Sequence, residues 1–76
     1  MSELEWLDIF ADNLIEMLDE TGMSQRDLAE ATGISEASIS GYIRRRKVPG
    51  VKAILNIAYA LDCSITDLID FGDTID

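Results

Sequence analysis

Residues 24–46 read SQRDLAEATGISEASISGYIRRR, and the punctuation of this stretch sets the fold. Ser24 is a good N-cap, and Asp27 three residues on makes an imperfect capping box. Leu28, Ala29 and Ala31 give the helix that follows an apolar stripe. Thr32-Gly33 ends it, because glycine takes the left-handed conformation past a helix end at little cost. Ile34 is then an apolar plug, and Ser35 caps a second helix. At about 100° per residue, Ile39, Tyr42 and Ile43 share the inward face of that helix. Glu36, Ala37, Ser38, Ser40, Gly41, Arg44 and Arg45 share the outward one.

An ordinary solvated helix face carries long charged side chains. Here Ala37, Ser38, Ser40 and Gly41 bring four small residues together instead. Glycine inside a helix costs about 1 kcal/mol relative to alanine, and a helix that must enter a groove has a reason to bear that cost. The major groove of B-DNA is about 12 Å wide and admits one. Small residues allow close approach, and arginines at the far end can meet phosphates.

The series "SQRDLAEATGIS", "ASIS" and "VPGVKAILNIAYALDCSITDLI" resembles the lambda-repressor-like (Cro-type, XRE-type) helix-turn-helix domains, without a gap from about Asn13 to Ile69. The resemblance implies an all-α bundle of five short helices around the helix-turn-helix at 24–46. It also implies a sequence-specific DNA-binding transcriptional regulator of bacterial or phage type, most often a repressor. Such proteins usually bind as dimers to two half-sites about one helical turn apart. A double-stranded operator and a second copy of the chain are therefore the expected partners. On the family pattern, Glu36, Ala37, Ser38, Ser40 and Gly41 read bases. Gln25, Arg26, Ser35, Arg44, Arg45, Arg46, Lys47 and Lys52 meet phosphates, with Arg26 and Lys52 secondary. Glu36 can accept from cytosine N4 or simply favour the helix N-terminus. Ser35 serves equally as a cap. The chain departs from the family where a glycine commonly follows the second helix: Arg45 stands there, and Ile43 replaces a frequent glutamate. Either Arg45 is left-handed at a cost of about 1 kcal/mol or more, or the helix runs on to Arg46 or Lys47.

The charge argues against a nucleic-acid partner until it is mapped. The 76 residues carry a net −9, whereas such binders are usually basic. Residues 1–23 hold seven acids and no base, residues 24–52 three acids and all six bases, and residues 53–76 five acids. A molecule polarised this way can present its basic edge to DNA while its acidic side faces away. The alternative is an acidic protein–protein interaction module that keeps the fold and engages a basic partner. An enzyme is not expected: histidine is absent, the single cysteine is Cys63, and no nucleophile has a base beside it in sequence. No cofactor or metal site is expected either, and the acids from Asp62 to Asp76 lack the glycine and spacing of a calcium loop. No apolar run approaches a membrane span and no basic start marks a signal peptide, so a cytoplasmic protein is the default.

Outside the central stretch, a first helix is expected from a cap at Ser2 to near Glu20. Leu4, Leu7, Phe10, Ala11, Leu14, Ile15, Met17 and Leu18 form its apolar arc, and Phe10, Leu14 and Met17 its core positions. That arc is wider than one packing surface needs. It implies either packing of the tail residues Phe71 and Ile75 or a dimer contact. Val48-Pro49-Gly50 breaks the chain. A fourth helix runs from about Val51 to Leu61, with Ile54, Leu55, Ile57, Ala58 and Leu61 as its apolar series. Asp62 stands where glycine is usual. Ser64 caps a last helix with Ile65, Leu68 and Ile69 inward, and residues 71–76 form an acidic tail. The whole is one domain.

Overall fold

The computed structural model describes residues 5–69, which form five helices: α1 Glu5–Thr21, α2 Gln25–Thr32, α3 Glu36–Ile43, α4 Val51–Ala60 and α5 Ile65–Leu68. The expected cap at Ser2, the Leu4 end of the first apolar arc and the tail with Phe71 and Ile75 lie outside the described residues. No described helix is long and apolar enough to cross a membrane.

The helix starts are written in side chains. The Ser24 hydroxyl accepts from the Asp27 N–H, and the Asp27 carboxylate accepts from the Ser24 N–H, so the box is complete with aspartate in the usual glutamate position. Ser64 and Asp67 repeat it at α5. Gly33 closes α2 at φ 77°, with its N–H on the Ala29 carbonyl. That left-handed turn swings α3 across α2.

Leu7, Phe10, Leu14, Leu28, Ile39, Tyr42, Ile54, Ile57, Leu61 and Leu68 build the core. α1 packs on α3 and α5, α2 on α3 and α4, and α4 on α5. Phe10 meets Tyr42 edge-on with ring centroids 6.3 Å apart, which places Tyr42 in the core as expected. Asn13 donates to the Leu68 carbonyl at 2.8 Å and ties the first helix to the last.

Several inward assignments are corrected. Ala31 is exposed and Ala29 only half-buried, so Leu28 alone fills the α2 position. An eight-residue helix turns too few residues toward one core to cover a stripe. Met17 is half-buried, packed against the core from its edge. Ile15, Leu55 and Ile65 are exposed. The fourth helix stops at Ala60, one residue early, and Asp62 takes the left-handed conformation at φ 54°, which aspartate tolerates.

Candidate nucleic-acid interface

Helix α3 is held from one side and open on the other. Ile39 and Tyr42 anchor it in the core. Its N-terminus is capped by Ser35, whose hydroxyl accepts from the Ser38 N–H at 3.1 Å and donates to the Ser38 hydroxyl at 3.0 Å. Glu36 and Ala37 are exposed, and Ser38, Ser40 and Gly41 are half-buried.

The partial cover at Gly41 has an identifiable source. α3 ends at Ile43, and the chain doubles back so that the Arg46 and Lys47 N–H groups both reach the Gly41 carbonyl, at 2.8 and 3.2 Å. A Cβ at position 41 would lie 3.0 Å from the Lys47 Cβ, closer than side chains normally approach. Glycine there lets the protein's own turn pack closely on the helix. The close approach of Lys47 is a second use for glycine at this position, beside the groove entry expected from sequence.

The turn depends on Arg45, at φ 60°. Of the two outcomes open in the sequence, a left-handed arginine or a longer helix, the first is realised. Four of its five N–H donors are engaged by other parts of the chain. Nε donates to Asp8 Oδ1 at 2.6 Å, Nη2 to Asp12 Oδ1 at 2.5 Å, and Nη1 to the Ile43 carbonyl at 3.1 Å. The Asp8 bond first, and the Asp12 bond next, push the guanidinium pKa above its already high ordinary value. Asp8 and Asp12 are one turn apart on α1, so one planar fork spans both. In this arrangement Arg45 is not available to phosphate. The acidic and basic segments are also less separate than their sequence blocks suggest.

The other cations differ in freedom. Arg44, Arg46 and Lys52 are exposed and enter no ion pair among the described residues. Arg26 makes a loose 3.7 Å pair with Glu30 on the α2 surface, an arrangement worth little in water. Lys47 lies along α3 with Nζ 2.7 Å from Ser38 Oγ. Gln25 opens α2 and is half-buried. Sequence reasoning missed both the Arg45 fork and the Lys47–Ser38 contact. A signal for the first existed: acids four apart on α1, and an arginine in a position that favours glycine.

A five-helix domain whose second and third helices form a tight turn, with the third open to solvent and flanked by free arginines, belongs to the helix-turn-helix class. The family described as the Cro/C1-type HTH DNA-binding domain matches residues 13–73, and the chain is a member of it. Among solved structures, the chain resembles the restriction-modification controller protein C.AhdI from Aeromonas hydrophila. The TM-score is 0.78 and the identity 31%, over 82% of this chain and 94% of that one. No curated protein matches in sequence.

Proposed function

We propose that the protein is a sequence-specific transcription regulator of bacterial or phage type that represses by occupying an operator. The single observation that carries this reading is the exposed first turn of α3, with Arg44 and Arg46 free beyond its end. Glu36, Ala37, Ser38 and Ser40 face the base edges and Arg44 and Arg46 clamp phosphates, with Gln25, Ser35, Arg26 and Lys52 as outlying contacts. Phosphate contacts position the domain and base contacts specify the site. Arg45 is withdrawn from the clamp. The likeness to a controller protein supports a regulatory role.

One domain covers one half-site, so the reading includes a homodimer. Val51, Leu55 and Tyr59 stand four residues apart on α4 and are exposed, Val51 at 73% and Tyr59 at 90%. α4 also contains no acid, so two copies of a chain of net −9 can meet there without carboxylates opposed across the contact. Selection of bound sequences from a random DNA pool at moderate salt tests the whole reading. A palindromic consensus with half-sites about 34 Å apart is the expected result. A flat pool refutes it, and returns weight to an acidic module that binds a basic protein.

A further inference from the structure

We infer that Lys47, a residue of the turn after α3, is a specificity-determining residue that reads guanine. The inference rests on the DNA-reading role proposed above. A lysine just past a recognition helix would ordinarily be assigned to phosphate, and sequence alone assigns it so. The geometry points elsewhere.

The turn that ends α3 returns the chain over the helix itself. Both the Arg46 and Lys47 amides are fixed on the Gly41 carbonyl, and the Lys47 Cβ and Cδ lie directly over Gly41. From there the side chain runs back along the helix toward its N-terminus, and Nζ stops 2.7 Å from Ser38 Oγ. Gly41 and Ser38 are three residues apart, hence on one face. The ammonium therefore sits beside the first turn of α3, the part of a recognition helix that contacts base edges. Arg44 and Arg46 remain at the other end.

Hydrogen-bond accounting gives the ligand chemistry. The ammonium has three donors, and Ser38 uses one. The Ser38 oxygen accepts from Lys47 and from the Ser35 hydroxyl, which leaves its own proton to donate outward. Two ammonium protons and one hydroxyl proton thus converge on the same small area with no acceptor among them. In the major groove the edge that presents two adjacent acceptors is guanine, through N7 and O6. Adenine offers N7 beside a donor, which would oppose the ammonium. Glycine at 41 is what lets the lysine stem lie flat enough to bring Nζ there.

The experiment compares sequences selected from a random DNA pool by the intact protein and by Lys47→Ala and Lys47→Met. The methionine variant keeps an apolar stem over Gly41 and removes only the ammonium. Circular dichroism melts of both variants establish that they fold. The expected result is a wild-type consensus with a guanine in each half-site whose preference falls by tenfold or more in both variants, the other positions holding, in line with about 1–3 kcal/mol for a good base contact. A consensus unchanged at every position, with affinity lowered equally for all sequences, overturns the inference and returns Lys47 to phosphate. A wild-type pool with no consensus instead refutes the DNA-reading role, so the two failures are told apart. If a variant is unfolded, 7-deazaguanine at each consensus guanine of the wild-type operator decides: no loss at any position overturns the inference.

Discussion

Arg44 and Arg45 are neighbours in sequence with opposite fates in the fold, and salt dependence separates them. Each phosphate neutralised by a cation releases counterions, so the slope of log K against log salt changes by about 0.9 per contact on duplex DNA. Arg44 is exposed and unpaired among the described residues, so Arg44→Ala should flatten the slope by about 0.9. Between about 50 and 200 mM salt that single contact is worth roughly 3.5-fold in affinity. Arg45 spends Nε and Nη2 on Asp8 and Asp12 and Nη1 on the Ile43 carbonyl. Arg45→Ala should therefore leave the slope where it is. Its cost shows in the melt, because Asp8 and Asp12 are left facing one another at i, i+4 without a shared cation. The reciprocal change completes the test: Asp8→Asn with Asp12→Asn frees the guanidinium, and the slope should steepen by up to about 0.9. Fluorescence anisotropy on a labelled operator, titrated at four or five salt concentrations, reads all of these. Equal flattening by Arg44→Ala and Arg45→Ala would refute the reasoning, since Arg45 would then leave its carboxylates for the duplex.

Further expectations concern stability, reactivity and assembly. Ile39 is fully buried, so Ile39→Ala should cost about 2–5 kcal/mol in urea melts, and a loss under about 1 kcal/mol would mean α3 is not anchored as described. Ser24→Ala removes the α2 cap at about 1 kcal/mol, a fall of about 4–8 °C in Tm for a domain of this size. Asp27 is held below its ordinary 3.8, first by the Ser24 backbone N–H and then by the Ser24 hydroxyl. A depressed carboxylate stabilises above its unfolded value and loses that contribution as pH falls through the folded one. The penalty of Asp27→Ala should accordingly shrink below about pH 4, and a penalty constant into acid would discount the box. Cys63 is half-buried, and burial first, then Asp67 and Asp62, raises its thiol above 9.0. Iodoacetamide at pH 8 should label the native protein more slowly than the urea-unfolded chain, and equal rates would contradict the burial. Tyr59→Asp should leave the melt of the monomer unchanged while sedimentation shows the dimer lost; an undisturbed dimer would move the interface away from α4.

The elements that local chemistry specifies were legible in the chain. Ser24 with Asp27, Gly33, Ser35, Pro49 and Ser64 mark where helices start and stop, because each satisfies or removes backbone groups within three or four residues. The inward residues of α3 followed from periodicity. The failures share a cause. Leu55 and Ile65 lie on apolar arcs, but periodicity shows only that a face is apolar, and how much of it a neighbour covers depends on how helices cross. The ion pairs of Arg45 were not legible because its partners are 33 and 37 residues away. Gly41 was legible as an anomaly, yet the chain reversal that packs Lys47 against it is not encoded in hydropathy.

The bond from Asn13 to the Leu68 carbonyl spans 55 residues, and Leu68 is fully enclosed by the bundle. The first of the five described helices is thus completed by the last of them. At about 5–20 residues per second a ribosome takes roughly 3–11 s to cover that interval, and through it the groove on α1 stands open to proteases and holdase chaperones. Stalled nascent chains ending before residue 64 should be cut within α1 by a dilute protease that spares chains ending at 76, and equal resistance would contradict this order of closure. Closure of the bundle therefore waits for its final turn: α3 is backed by α1 and α2, and α1 is itself enclosed only when α5 packs on it.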